Sequence, residues 1–123
     1  MKDLYFAEEF IEPIIRGDKL ITLRDYDPAK HSFRLGDIVR AVSYDSHDEI
    51  SLLLEITEDT VIMPLTEVSD SVCQEDGFDN QQDMFEGMKK FYPDLELTST
   101  IGIVRFRIAT INGVPVVSLR ELD

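Results

Sequence analysis

The sequence predicts an α+β fold, a small closed or nearly closed β-barrel of five to six strands with two to three short helices packed on it. Predicted strands cluster toward both ends of the chain, residues with helical spacing lie between them, and Asn112-Gly113 is a strong hairpin signal. A chain of 123 residues with a hydrophobic fraction of 43% can build one core. We therefore expect one domain spanning residues 1–123.

The first half of the chain predicts one short helix and three strands. The spacing of Phe6, Phe10 and Ile14 indicates a helix, and Pro13 must lie in its first turn. Gly17 indicates the end of this helix. Strands are predicted at 19–24, 38–44 and 50–56, with a polar loop at 25–34, a turn at 46–48, and 61–63 as an extension of the third strand or a short strand of its own.

The middle of the chain predicts two helices. The first has Thr66 as its N-cap and ends before Gly77. The second begins at Asp79, with Gln82 completing a pattern like a capping box, and ends before Pro93. A long strand at 101–111 and a returning strand at 114–119 complete the chain.

The charge balance limits the partners. Twenty-five acidic side chains against twelve basic ones give a formal net charge of −13. A field of that sign repels phosphate backbones and anionic membranes, which argues against a general nucleic-acid binder. The simplest interpretation of the acids is a solvated face that keeps the protein soluble. A ligand related to nucleic acid must therefore be small, or must enter through a locally basic opening.

Several features predict a cytoplasmic protein that does not act at a membrane. The single cysteine, Cys73, cannot form an internal disulfide, which fits a reducing compartment. Glu8 and Glu9 interrupt what would be the apolar part of a signal peptide. No apolar run approaches the length that crosses a bilayer.

The residues with chemical potential cluster in the strand at 19–24. Thr22 and Arg24 are two residues apart and share one face of the strand, and the long side chain of Lys19 can bend over Thr22. A threonine hydroxyl becomes a nucleophile when a base takes its proton, and a lysine with a lowered pKa can be that base. Arg24 could lower that pKa or hold a carbonyl oxygen or oxyanion. The alternative is ordinary strand surface, with Thr22 present for its β-propensity.

Other reactive side chains have simpler explanations. His31 and His47 lie in polar segments without a partner at ligand spacing, so we predict no metal site and no cofactor. Cys73 lies near the apolar face of a predicted helix and is expected to be a buried structural thiol. Glu75 is a carboxylate where the chain turns, and a solvated acid at a helix end is its simplest interpretation.

Two motifs together resemble a known family. The segment Lys19-Leu20-Ile21-Thr22-Leu23-Arg24-Asp25, after a short helix and Gly17, is followed by Phe33-x-x-Gly36-Asp37 before a strand. This combination resembles the ASCH domain family of the PUA-like β-barrel superfamily. A helix ending in Gln74-Glu75-Asp76-Gly77-Phe78 and another closing with Phe91-Tyr92-Pro93 are similar as well. The resemblance covers a core from about residue 6 to 108, and the chain departs from the family in its longer C-terminus, with a hairpin at 101–119.

Within that family, the chain is most similar to small bacterial amidohydrolases that remove the acetyl group from the exocyclic amine of acetylated cytidine. The resemblance implies a small nucleoside as substrate, without a cofactor or metal. It implies Thr22 as nucleophile, Lys19 as its base, and Glu75 as proton donor or as the group that orients the lysine. Arg24, Gly17 and Phe33 would contact the substrate.

The same resemblance implies an alternative function, because PUA-like domains bind RNA. The RNA would follow a groove past Lys19, Arg24, Arg34 and Arg40, and a related possibility is an RNase-type activity in the same lysine pocket. The net charge disfavours both. The sequence leaves open whether the pocket is catalytically active, and it does not indicate an oligomeric state.

Overall fold

The computed structural model of this chain describes residues 2–43 and 50–119. The predicted turn at 46–48, with His47, lies outside these residues. The described strands are β1 (Asp3–Phe6), β2 (Ile21–Asp25), β3 (Ile38–Ser43), β4 (Ile50–Ile56), β5 (Val61–Pro64), β6 (Thr100–Ile108), β7 (Thr110–Ile111), β8 (Val114–Pro115) and β9 (Val117–Leu119). The described helices are α1 (Ile11–Arg16), α2 (Pro28–His31), α3 (Asp70–Glu75) and α4 (Gln81–Lys89), and none of them is long and apolar enough to cross a membrane.

The main sheet is a curled half-barrel in which β6 is the central strand. The strands follow the order β1-β3-β4-β6-β2, with β5 added beside β6 and β9 beside β4. The pairing of β1 with β3 is parallel, and the other pairings are antiparallel. The structure therefore confirms the predicted α+β fold with a small PUA-like barrel and a few short helices.

Strand β2 separates two hydrophobic cores because both of its faces are buried. Its outward residues Ile21 and Leu23 pack with Met84 and Leu95 beneath the helices. A second core, which includes Phe6 and residues of β3 and β4, fills the inside of the half-barrel. Since successive side chains of a strand alternate between its faces, residues 22 and 24 lie on the opposite face from residues 21 and 23.

The N-terminus differs from the prediction. Phe6 belongs to a strand, Phe10 to a 3₁₀ turn and Ile14 to α1, so their spacing is not that of one helix. All three pack against the inner core, which explains why they repeat at helix-like intervals. The predicted end of the helix is confirmed, since Gly17 has a φ of 80° in the left-handed region.

The two central helices exist, but their caps are shifted. Residues 65–67 form a 3₁₀ turn, so the cap of α3 is Ser69 rather than Thr66. Asn80, rather than residue 79, caps α4 by accepting from the backbone N–H of Asp83 at 2.9 Å. Asp83 in turn accepts from the N–H of residue 79, the residue before the cap, so Asp83 rather than Gln82 gives the pattern that resembles a capping box.

Two further segments refine the prediction. The predicted loop at 25–34 contains α2, which Asp27 caps by accepting from the N–H of Ala29 at 2.9 Å. The long C-terminal strand ends at Ile108, and a separate hairpin of β7 and β8 follows. The predicted turn of this hairpin is confirmed, with positive φ values of 53° at Asn112 and 79° at Gly113.

Candidate functional site

Strand β2 carries two buried polar side chains on its inner face. Thr22 is 6% exposed and Arg24 is 7% exposed, and they lie opposite Val104 and Gly102 of β6. Arg24 donates from Nε to Thr22 Oγ1 at 3.0 Å, and its guanidinium lies 4.8 Å from the centre of the Phe6 ring. Thr22 therefore accepts a hydrogen bond from a cation while its own hydroxyl proton remains available to a base.

Lys19 and Asp76 form a nearly buried ion pair. Lys19 Nζ donates to Asp76 Oδ1 at 2.5 Å, and the two side chains are 11% and 9% exposed. The other carboxylate oxygen of Asp76 accepts from the backbone N–H of Leu23 at 3.2 Å, which ties the end of α3 to β2. Lys19 Nζ also lies 4.9 Å from the centre of the Phe10 ring. Burial raises the pKa of Asp76, and the charge of Lys19 opposes that shift.

A cavity of about 80 Å³ brings Lys19, Thr22, Arg24 and Asp76 together. Its remaining walls are largely apolar. They come from β1 and the turn after it, from β2, from the loop after α3, and from α4 and the segment after it: Tyr5, Phe6, Ala7, Phe10, Leu23, Phe78, Gly87, Met88, Phe91 and Tyr92. The cavity thus places an amine, a hydroxyl, a guanidinium and a carboxylate in one largely apolar pocket.

A wider depression of about 570 Å³ adjoins this cavity and shares Tyr5, Arg24 and Tyr92 with it. Its other walls include Tyr26 and His31. The Nδ1 atom of His31 accepts from the backbone N–H of residue 27 at 3.0 Å. Burial, followed by the charge of Arg24, lowers the pKa of His31 to about 4, so this imidazole is neutral near pH 7.

Glu75 does not line the cavity. Its carboxylate binds both terminal nitrogens of Arg105, at 2.6 and 2.9 Å, and its side chain is 45% exposed. The hydrogen bonds from Arg105 lower the pKa of Glu75. The acid beside Lys19 is instead Asp76, the next residue in the chain. An acid immediately after the helix and before Gly77 was the available sequence signal for it.

The other predicted contact residues also lie outside the cavity. Phe33 is 3% exposed in the inner core. Gly17 ends α1, and in the same turn the backbone N–H groups of residues 18 and 19 both donate to Pro13 O. This turn fixes the backbone position from which the side chain of Lys19 reaches the cavity. Cys73 is fully buried beside Met84, as expected of a structural thiol.

The cations of the predicted RNA groove do not form a connected exposed patch. Lys19 is paired with Asp76, Arg24 is buried, and Arg40 binds both carboxylate oxygens of Asp3 at 2.9 and 3.1 Å. Of the four cations, Arg34 alone is exposed. Within residues 2–43 and 50–119, no three histidine, cysteine, aspartate or glutamate side chains are grouped so that they could hold a metal ion.

Solved structures resemble this chain in fold. An ASCH domain from Lactobacillus crispatus superposes with a TM-score of 0.64 at 16% identity, over 86% of this chain and 77% of that one. A protein of Enterococcus faecalis assigned to the family DUF984 has a TM-score of 0.59 at 18% identity, over 87% and 79%. A Pyrococcus furiosus protein solved by NMR has a TM-score of 0.52 at 17% identity, over 86% and 94%.

No protein-family model and no curated sequence matches the chain. At these identities the structural similarity establishes the fold and leaves the chemistry to the residues of the cavity.

Proposed function

Because the chain has the fold of an ASCH domain, we propose that it is a cytoplasmic amidohydrolase that removes an acyl group from the exocyclic amine of a modified nucleoside such as N(4)-acetylcytidine. One observation carries the proposal: the hydroxyl of Thr22, the amine of Lys19 and the carboxylate of Asp76 border a single apolar cavity. A nucleophile, a base and an acid enclosed together are the set that amide hydrolysis requires. A nucleoside is neutral, so a net charge of −13 does not repel it.

In this mechanism Thr22 is the nucleophile. A proton moves from Lys19 to Asp76 within their hydrogen bond, leaving an amine that takes the hydroxyl proton as Thr22 Oγ1 attacks the acyl carbon. Arg24 stabilises the resulting oxyanion. The C–N bond then breaks, and the lysine gives its proton to the leaving nitrogen. Water attacks the acyl-threonine ester through the same base, which releases the carboxylic acid and regenerates the hydroxyl.

The two cavities differ in size in a way that fits the two parts of the substrate, the acyl group and the nucleoside. Enclosed sites for whole drug-sized ligands measure roughly 300–1,000 Å³, so a cavity of about 80 Å³ holds only the acyl group. The nucleoside would lie in the adjoining depression of about 570 Å³, where Tyr5, Tyr26 and Tyr92 offer rings for stacking.

The test is the release of cytidine from N(4)-acetylcytidine by the purified protein, followed by liquid chromatography. We expect Thr22→Ala to lower kcat by about 10³-fold or more, since it removes the nucleophile, and Thr22→Ser to retain activity. Asp76→Asn should lower kcat by about 10²-fold, whereas the matched change Glu75→Gln should leave it nearly unchanged. No turnover across a panel of acylated nucleosides, or a fully active Thr22→Ala variant, would refute the proposal.

RNA binding receives less support, because Lys19 and Arg40 are paired with acids and Arg24 is buried. Binding to tRNA at low salt, with an affinity that falls steeply as salt increases, would restore that alternative.

A further inference from the structure

Arg24 is a buried cation without an ion pair among the described residues. Its side chain uses one of its five N–H donors, the Nε–H that binds Thr22, and stacks on Phe6. The remaining donors belong to a guanidinium that borders both the smaller cavity and the adjoining depression. No buried side-chain nitrogen or oxygen of the described residues lacks a partner, so the unused terminal N–H groups of Arg24 reach the open space of these pockets, where a ligand can bind them.

The acid in the cavity is already occupied by other partners. Asp76 Oδ1 accepts from Lys19, and Oδ2 accepts from the N–H of Leu23. Arg24 affects Asp76 only as a nearby charge. The described lining of the cavity therefore contains two cations and one anion, a net of +1.

The acids bordering the wider depression do not neutralise Arg24 by direct contact. Asp3 is bound by Arg40, and Asp27 accepts from the N–H of Ala29. Asp25 forms no ion pair with Arg24 within the parts of the chain that the structure describes. The inner cavity, whose described lining has a net charge of +1 and includes an arginine without a paired acid, is therefore complementary to a monoanion.

The shape of the site selects among monoanions. A planar carboxylate matches the fork of a guanidinium through two parallel hydrogen bonds. Most of the other residues that line the cavity are apolar, with Phe10, Met88 and Phe91 among them. They suit a short hydrocarbon tail, and they cannot solvate a multiply charged phosphate.

We propose that Arg24 forms a subsite for short monocarboxylic acids, with the carboxylate on its guanidinium and the tail in the cavity. Binding there requires no catalysis. The consequence for catalysis rests on the proposed function: the carboxylic acid released by hydrolysis occupies this subsite and inhibits the enzyme competitively.

The test uses the intact protein without nucleoside. Acetate, butyrate and their neutral amides, acetamide and butyramide, are titrated at pH 7 by calorimetry and by amide chemical shifts in NMR. We expect both acids to bind, the amides to bind at least tenfold more weakly, and butyrate to bind about tenfold more tightly than acetate because two more methylenes are buried. Shifts should centre on residues 22–24 and on the end of α4.

Variants then test whether Arg24 is the residue that binds the acids. Arg24→Gln should abolish binding of both acids, and Arg24→Lys should weaken it by losing the bidentate geometry. Arg105→Gln, which changes an arginine that lines neither the cavity nor the depression, should leave binding unchanged. Equal affinity for acids and amides in the unmodified protein, or tighter binding of inorganic phosphate, would overturn the proposal even if neither Arg24 variant folds. Acid binding without nucleoside turnover would refute the proposed function and leave the subsite intact.

Discussion

Glu75 and Asp76 are adjacent acids, yet they form two very different ion pairs. Asp76 binds Lys19 with side chains 9% and 11% exposed, on the wall of the candidate site. Glu75 binds Arg105 with side chains 45% and 28% exposed, and Arg105 also binds Glu58 at 2.9 Å. Successive residues of a helix point about 100° apart, so one step along the chain at the end of α3 separates a surface contact from a cavity wall.

The two pairs should differ in what they contribute to stability. An exposed pair is solvated in both the folded and the unfolded state, so breaking it changes the free energy of unfolding little. A buried pair has lost its hydration, and removing one member leaves the other charge without compensation. The comparison therefore predicts that the same substitution lowers the free energy of unfolding much more at position 76 than at position 75.

The largest effect is expected from Asp76→Ala. It leaves the ammonium of Lys19 and the N–H of Leu23 without their acceptor, and should lower the free energy of unfolding by about 3–5 kcal/mol. Urea denaturation monitored by circular dichroism measures this loss. A cost below about 1 kcal/mol would mean that the pair is solvated in solution.

Replacing both members of the buried pair should recover much of that stability. In Lys19→Met combined with Asp76→Leu, apolar side chains fill the same space and no charge stays buried. We expect the double variant to be at least about 2 kcal/mol more stable than Asp76→Ala, while nucleoside hydrolysis stays absent. Retained hydrolysis in this variant would exclude Lys19 and Asp76 from the mechanism and would separate stability from activity.

Local patterns predicted the parts of the site that lie on one strand. Alternation along 19–24 placed Thr22 and Arg24 on one face, and that face borders the cavity. The acid could not be chosen in the same way, because Glu75 and Asp76 both lie where α3 ends and only tertiary packing decides which one meets Lys19.

Long-range pairing also explains the missed strand at the N-terminus. Strand β1 exists because Asp3–Phe6 pairs with Arg40–Ser43, nearly forty residues away. The spacing of nearby apolar residues contains no information on such a contact. The α+β class was predictable because turns, strand alternation and helical spacing are local signals.

A smaller effect is expected from Glu75→Gln. Arg105 keeps its ion pair with Glu58, and the exposed surface keeps its hydration. The free energy of unfolding should fall by about 0.2–1 kcal/mol at low salt, and by less at 0.5 M salt because exposed charges are screened. Urea denaturation at the two salt concentrations measures the difference. A loss comparable to that of Asp76→Ala would contradict the contrast between the two pairs.

The smallest and most specific difference between the two acids is the direction in which each makes folding stability depend on pH. The pKa of Glu75 is lowered from an ordinary value of 4.5, so its stabilisation is complete above that pH and is lost on acidification through the folded-state pKa. The pKa of Asp76 is raised from 3.8 by burial, so the folded state holds that proton more tightly, and stability is lost as the pH rises through the folded-state value.

Relative to the unmodified protein, Glu75→Gln should therefore gain stability on acidification below pH 4.5, and Asp76→Asn should gain stability as the pH rises above 3.8. Urea midpoints of the three proteins at closely spaced pH values give both slopes, and slopes of the same sign would show that the two acids share one environment.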